Sequence, residues 1–443
     1  MNLKNIQSYY FIKFIIVVFS SYSSYSQNKN ELYDNVDHVI KEVIDRNPDL
    51  KNYLLQQEKA KLDYKNSKNF FLPNISGSAS FQNNISLATT ALPGEIIGQP
   101  GEIIELQIGQ KYNYNVGINL SKTIFDREKK IKAKISGISS EIAEAQTKSF
   151  EQNLKEQAAF YYYSILIGDQ AIKTSKDDVK TSDSIYKITS KKYEKGLIDI
   201  TLKNKAKINS NRAKQNLLSN LSLKNQSENN LKNLLGLTNL DSLRFKKTDI
   251  IYNEDFNTNL VLNNDKNLVV KELQYQQANL NIKKERATFL PTLSVNSYFG
   301  KQQLSNETGI SFDSGSWNNY SFATVNLNIP IFSGLSKKNN LKKAKIDNKI
   351  ALQNLSTEKS KSILKDQQLI TDYSNYQEIL KSAKENYILM KQNADIAFVK
   401  YQQGVLSLDE YFNKYNEYLK EKNNYLNSLS TTYSLYATIL SRQ

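Results

Sequence analysis

The sequence has 443 residues, of which 39% are hydrophobic and 23% are charged, and its formal net charge is +15 at pH 7. A mean hydropathy of −0.56 excludes a protein built from many apolar membrane helices. The absence of cysteine and the single histidine, His38, exclude disulfides, thiolate metal sites and multi-histidine zinc sites. The lysines are spread along the chain and do not form one patch, so we predict no nucleic-acid partner.

Catalytic patterns are also missing from the sequence. It contains no nucleophile elbow, no phosphate-binding loop and no cluster of metal-ligating residues. His38 falls in a helical stretch, where a packing or surface role is the simplest one. We therefore predict that the chain is not an enzyme and holds neither a metal nor another cofactor.

The N-terminus has the pattern of an export signal. A positively charged start is followed by an apolar core that is too short for a stable membrane span, and then by small residues. We predict a signal peptide over residues 1–26, with an uncleaved anchor as the alternative. The residues behind this prediction are Lys4 and Lys13, the core at 14–19, and Ser24 and Ser26 before a cut at Gln27.

The chain repeats itself. Residues 50–81 align with 268–299 at an offset of 218 residues, and this places Leu72-Pro73 on Leu290-Pro291. Three further matches follow in the same order, so one structural unit occurs twice. We predict a first repeat over 27–248 and a second over 249–443. The further matches pair 119–125 with 326–332, 132–135 with 343–346, and 192–196 with 400–404.

Each repeat is predicted to begin with a helical segment that ends at Leu-Pro, because proline disfavours a helical residue before it. Two strands follow, in which apolar and polar residues alternate. Such alternation is typical of a transmembrane β-strand, although a half-buried soluble sheet remains open for any single strand. The predicted helical segments are 31–70 and 262–288, the strands are 72–86 with 112–125 and 290–303 with 319–332, and the exposed loops are 87–111 and 304–318.

Long helices are predicted after the strands. No proline occurs between 101 and 290 or after 330, so 127–195 and 335–403 can each form one helix. At 1.5 Å per residue each would be about 100 Å long. Each helix turns at a glycine, Gly196 or Gly404, and a second helix returns. The resulting helical hairpins cover 127–236 and 335–441.

Helices of this length must pack as coiled-coil hairpins, within the chain and against other copies. Four strands cannot close a membrane barrel, and an open sheet edge is not tolerated in lipid. The fold class is therefore a mixed α and β membrane protein whose copies must assemble. Three copies would give twelve strands.

These features together resemble the TolC-like outer-membrane efflux family over about 31–441. The resemblance rests on Asn47-Pro48 and Leu50, the two Leu-Pro strand entries, the Ile-Phe pair closing the second strand of each repeat, and two Tyr-x-x-Gly turns. It implies a homotrimer with one twelve-stranded barrel in outer-membrane lipid and a helical periplasmic tunnel. It also implies docking on an inner-membrane pump through a periplasmic adaptor protein.

From this resemblance we predict an outer-membrane channel of a tripartite efflux or type I secretion system, with most of the chain in the periplasm. The alternative is an exported coiled-coil structural or adaptor protein without a pore. Two strand pairs per chain favour the channel, because an adaptor does not need them.

The resemblance also predicts a gate at the periplasmic tip, formed by the two Tyr-x-x-Gly turns. Tyr193 and Gly196 match the turn in the first repeat. In the second repeat, Tyr401 matches the gating tyrosine and Gly404 the turn glycine. An acidic ring at such a constriction would favour cations.

Several gate positions depart from the family pattern. The first acid of the constriction ring matches Glu410, but the second is Asn413. The gating arginine is replaced by Leu406, and an acid of the first repeat by Leu202. Asp199 and Asp409 are nearby acids that can substitute. The alternative role for Asp199, Asp409 and Glu410 is to complement a helix N-terminus.

Overall fold

The computed structural model describes residues 31–93, 98, 101, 103–237, 243–246 and 265–442. The predicted signal peptide and its cleavage site lie outside these residues. The helices are α1 (Val36–Arg46), α2 (Pro48–Lys68), α3 (Arg127–Glu194), α4 (Ile200–Leu234), α5 (Lys266–Ala287), α6 (Ser336–Gln402) and α7 (Leu408–Arg442). The strands are β1 (Glu31–Tyr33), β2 (Asn74–Asn83), β3 (Thr89–Pro93), β4 (Ile103–Gln107), β5 (Tyr112–Phe125), β6 (Leu243–Phe245), β7 (Thr292–Ser305) and β8 (Asn318–Asn328).

The chain divides into two compact units. The helical unit comprises the chain up to Tyr53, Thr147–Lys266, and the chain from Lys361 onward. The sheet unit comprises Leu54–Gln146 and Asn267–Ser360. Each unit contains segments of both predicted repeats, so the repeat boundaries at 27–248 and 249–443 are a different division of the chain and stay a prediction. None of the helices in the described ranges combines the length and the hydrophobicity needed to cross a membrane.

The sheet unit is built on one four-stranded antiparallel sheet in the order β2-β5-β7-β8. Each repeat contributes one strand pair, and the pairing of β5 with β7 joins the two repeats. One face of the sheet carries mainly serine, asparagine, glutamine and threonine, together with the rings of Tyr298, Tyr320 and Phe322, and has no charged residue. The other face is mostly apolar, although it also carries Lys122 and Lys301. The apolar side chains are exposed, including Ile75 at 64% and Val325 at 67%. The alternation predicted for these strands is therefore present.

The long helices are close to their predicted bounds. Helices α3 and α6 each have nearly 70 residues, and each is followed by a return helix, α4 or α7, of 35 residues. Apolar clusters hold the helical unit together. One of them packs α1 against α3 and contains Val43, Leu154 and Ile165, all almost fully buried.

The first helical segment is not one helix, as 31–70 was predicted to be. It breaks at Asn47, whose side-chain oxygen accepts from the backbone amide of Leu50 at 2.9 Å and whose side-chain nitrogen donates to the carbonyl of Leu234 at 2.9 Å. Pro48 then starts α2, a position at which its missing N–H is not needed. The Asn-Pro-x-Leu pattern is thus a helix start tied to α4.

Two small strand pairs were not predicted. The segment 87–111, predicted to be an exposed loop, contains the antiparallel pair β3–β4, which gives its β-branched residues backbone partners. Residues 31–33, predicted to be helical, form β1, which pairs in parallel with β6. Strands of three residues are too short to show a period.

The last strand of the four-stranded sheet is shorter than predicted. β8 stops at Asn328 before Pro330, so Ile331-Phe332 lie outside the strand that they were predicted to close.

The two glycines Gly117 and Gly300 face each other across β5 and β7 beneath the ring of Tyr298. A Cβ atom at Gly117 would lie 2.6 Å from the carbonyl oxygen of Phe299 and 2.7 Å from the Tyr298 ring. Because backbone is among the atoms it would meet, the sheet itself would have to shift.

We expect Gly117→Ala to lower the free energy of unfolding by about 1–3 kcal/mol, the usual effect of overpacking. The matched control is Gly77→Ala on β2, where a Cβ would meet nothing within 4 Å. Thermal unfolding followed by circular dichroism measures both variants. Equal unfolding midpoints for the two would contradict the close approach.

Candidate functional site

Both Tyr-x-x-Gly turns end a long helix with the same hydrogen-bond pattern. Gly196 has a φ of +71°, and its amide donates to the carbonyl of Tyr193 at 2.8 Å. Gly404 has a φ of +78°, and its amide donates to the carbonyl of Tyr401 at 3.1 Å. In each turn the next amide reaches back to the carbonyl one residue before the tyrosine, which completes a Schellman motif. Glycine is favoured here because other residues are strained at positive φ.

Two of the predicted acids cap the return helices. The carboxylate of Asp199 accepts from the amides of Thr201 at 2.7 Å and Leu202 at 3.1 Å. Glu410 accepts from the amide of Ser407 at 3.0 Å while the Ser407 hydroxyl accepts from the Glu410 amide, a reciprocal capping box. The Thr201 and Ser407 hydroxyls donate to these carboxylates, and this holds the pKa of Asp199 and of Glu410 below the ordinary values.

The two turn tyrosines have different surroundings. Tyr401 is only 3% exposed, and its hydroxyl lies 3.4 Å from that of Thr189 on α3. Because the Thr189 hydroxyl donates to the carbonyl of Ile185, Tyr401 is the donor of this pair. The ammonium of Lys192 lies 4.6 Å from the centre of the Tyr401 ring. Tyr193 is only half-buried, and its ring lies 4.7 Å from the ammonium of Lys203.

The two hairpins are joined near the turns by an ion pair between Lys205 of α4 and Asp409 of α7. The sequence did not single out Lys205, because its partner lies 204 residues away. Leu202 and Leu406 are half-buried against the apolar core behind the turns, whereas Asn413 is exposed. Next to the turns, therefore, a lysine of the first repeat meets an acid of the second.

Behind the turns lies a core of tyrosines around one buried ion pair. Tyr411, Tyr415 and Tyr418 follow one another along α7, with successive ring centres 5.8 Å apart. The ammonium of Lys422 pairs with the carboxylate of Asp178, and both side chains are more than 90% buried. Burial raises the pKa of all three tyrosines above the ordinary value, and the negative charge of Asp178 raises it further.

A sequence model of the outer membrane efflux protein family matches residues 39–237 and 257–434. The two matched segments lie in the two predicted repeats and together cover most of the sequence. The chain belongs to the outer membrane efflux protein family. It is thus an efflux channel of the outer membrane, with a large helical part in the periplasm, and not an enzyme.

Solved structures of outer-membrane channels share the fold. The CmeC outer membrane channel of Campylobacter jejuni is 18% identical, with a TM-score of 0.78 over 95% of this chain and 89% of that one. The outer membrane protein VceC of Vibrio cholerae is 14% identical, with a TM-score of 0.73 over 92% and 95%. The MtrE outer membrane channel of Neisseria gonorrhoeae is 17% identical, with a TM-score of 0.71 over 92% and 88%. A comparison with curated proteins found no match.

Membership in the efflux family confirms the resemblance drawn from the sequence, together with the fold class and the internal duplication. It also rules out the alternative of an exported coiled-coil protein without a pore. Within the described residues, no group of three or more histidine, cysteine, aspartate or glutamate side chains could hold a metal ion. The described features of this efflux channel that stand out chemically are therefore the two turns and the side chains around them.

The raised tyrosine pKa values predict that stability falls as the pH rises above about 10. The unfolded chain ionises these tyrosines near that pH, whereas the folded chain keeps them neutral, so alkali favours unfolding. Urea unfolding midpoints between about pH 8 and about pH 11 measure the effect. Tyr411→Phe is expected to lessen the alkaline fall, with the half-buried Tyr193→Phe as the control. A fall that is unchanged in Tyr411→Phe would contradict this origin.

Proposed function

We propose that three copies of this chain form the passive exit duct of a tripartite efflux or type I secretion system, gated at the periplasmic tip. The observation that carries the assembly is the open sheet. Strands β2 and β8 are its edges, and each has one row of backbone groups without a partner strand among the described residues. Lipid supplies no hydrogen-bond partner for such groups, so a sheet in the membrane must close on itself.

The strand directions allow this closure. Neighbouring strands are antiparallel throughout, so β2 and β8 run in opposite directions. In neighbouring copies that are related by rotation, β8 of one copy can therefore pair with β2 of the next in the antiparallel manner. Three copies of four strands make twelve, an even number suited to a membrane barrel. The apolar face would then meet lipid, and the uncharged polar face would line the pore.

The proposal includes two partners, a periplasmic adaptor protein and an inner-membrane pump. The sequence has no phosphate-binding loop, so energy for transport must come from another protein. The helical part lies in the periplasm, where an adaptor can reach the turns. Substrate choice would belong to the pump and adaptor.

The gate is proposed to lie at the paired turns, with Tyr193, Gly196, Asp199, Tyr401, Gly404, Asp409 and Glu410. Two contacts support a closed state by joining α3 and α4 to α6 and α7. These are the Lys205–Asp409 ion pair and the Tyr401–Thr189 hydrogen bond. Lys205 would take the part that the resemblance gives to an arginine of the second repeat. Only one oxygen of Glu410 is engaged by Ser407, which leaves the other for passing cations.

Assembly can be tested on protein extracted gently from membranes. Mass photometry in detergent is expected to give the mass of three chains, since only a closed barrel satisfies every strand edge. A monodisperse monomer under these conditions would refute the shared barrel and the duct with it.

The gate can be tested by single-channel recording. The Lys205 and Asp409 side chains are about half exposed, so one such pair stabilises the closed state by less than about 1 kcal/mol. The contributions of the three copies add together. Lys205→Gln is expected to raise the fraction of time that the channel spends open several-fold, because the closed state loses this contact. The control is Lys214→Gln, because Lys214 pairs at 3.1 Å with Asp183 inside the first hairpin. Equal effects of the two variants would contradict a gate at the Lys205–Asp409 pair.

A further inference from the structure

Basic residues are concentrated where α3 and α6 begin next to the sheet. α3 begins directly after β5, and its first eight residues include Arg127, Lys129, Lys130, Lys132 and Lys134. α6 starts with a serine followed by two lysines and has no acid in its first turn. Cations at a helix N-terminus oppose the helix dipole. The start of α3 also carries two acids, Asp126, which accepts from the amide of Lys129 at 2.9 Å, and Glu128 in the first turn. The basic residues are therefore added to a helix start that is already capped.

Five cations line one cavity of about 360 Å³ in the sheet unit, three from the start of α3 and two from near the end of α5. Helix α3 contributes Arg127, Lys130 and Lys134, and α5 contributes Lys283 and Arg286. The apolar lining includes Ile131 and Ala287, both almost fully buried. The cavity thus combines several phosphate-binding groups with hydrophobic residues.

The five cations lack ion-pair partners within the described part of the chain. Neighbouring lysines on the same helices do have them. Without a bound anion, the five like charges repel one another. The neighbouring ion pairs are Lys129 with Asp126, Lys132 with Glu128, and Lys284 with Glu285.

The position of the cavity identifies the anion. β5 ends at Phe125 and β7 begins at Thr292, so the cavity lies at the foot of the two central strands. Leu290, at 43% exposure, lines the cavity, and the nearby Phe125 is 47% exposed. With the sheet in the outer membrane and the helices in the periplasm, this level is that of the headgroups in the periplasmic leaflet.

We propose that this cavity binds the phosphate headgroup of an anionic phospholipid, whose acyl chains lie against the apolar residues at the foot of the sheet. Arginine can bind the phosphate oxygens in a bidentate manner, and lysine adds point charge. The inference rests on the placement of the sheet in the outer membrane. It goes beyond the duct itself, because a channel can conduct without a lipid in this cavity.

The test uses the purified full-length oligomer in a non-ionic detergent. Short-chain phosphatidylglycerol and phosphatidylcholine with the same acyl chains are titrated in turn, and bound lipid is counted by native mass spectrometry. The cavity variant is Lys130→Gln with Lys134→Gln and Arg286→Gln. The matched control is Lys129→Gln with Lys132→Gln and Lys284→Gln, which removes the same charge from the same helices at paired lysines.

Each cation near an anionic headgroup contributes about fivefold to affinity. The cavity variant is therefore expected to bind phosphatidylglycerol at least about tenfold more weakly, while the control stays within about twofold of the unaltered protein. Phosphatidylcholine should bind weakly to all three. In the unaltered protein, added salt should weaken phosphatidylglycerol binding. This last measurement does not depend on any variant folding.

Three results would overturn the proposal. The control losing as much affinity as the cavity variant would indicate diffuse charge, and salt-independent binding would exclude an electrostatic site. Inorganic phosphate or glycerol phosphate binding as tightly as the lipid would indicate a free-anion site. Mass and conductance measured on the same preparation keep the outcomes separate. A trimeric channel without phosphatidylglycerol preference would refute the lipid site alone, and a monomer that prefers phosphatidylglycerol would refute the duct alone.

Discussion

The whole protein depends on satisfying the backbone hydrogen bonds of a sheet that is too small to close. The four strands pair fully with one another but leave β2 and β8 with open edges. In a lipid environment each unpaired amide or carbonyl is costly, because no water can replace the missing partner. Each repeat supplies two strands, and the central pairing of β5 with β7 joins the repeats into one sheet. The two open edges are the physical basis for proposing that several copies share one barrel.

Charge near the helix ends reflects both the helix dipole and the surroundings of each end. Helices that start at the turns carry Asp199, Asp409 and Glu410, which complement the positive end of the dipole and fix the caps. Helix α3, which begins at the sheet, has acids at its start but also five basic residues among its first eight. In α5 the basic residues lie near the end of the helix, where they complement the dipole. What sets the five cations around the cavity apart is that they have no ion-pair partner among the described residues, and the proposed anionic lipid would supply one, whereas the neighbouring lysines form ordinary ion pairs.

Much of the fold could be read from particular residues. The starts of the strands could be predicted from Leu72-Pro73 and Leu290-Pro291, and the long helices from stretches without proline. Both predictions were possible because proline acts through local backbone geometry. Gly196 and Gly404 located the turns for the same reason. Less of the candidate site was accessible. Tyr401 was found through its turn, but its donor bond to Thr189 and the pairing of Lys205 with Asp409 join residues about 200 positions apart. The pairs β1–β6 and β3–β4 were missed, since strands this short carry no periodicity.

The sequence by itself determined the duplication, the alternating strands, the long helices and the glycine turns. All of these depend on the spacing of neighbouring residues and on local backbone preference. Only the tertiary structure decided the strand order β2-β5-β7-β8, the partners of the tip charges and the grouping of five cations around one cavity. Those features depend on which distant segments meet. A lysine in the sequence has the same appearance whether it is paired, like Lys132, or left unpaired beside a cavity, like Lys134. The difference lies in the neighbours that folding brings to it.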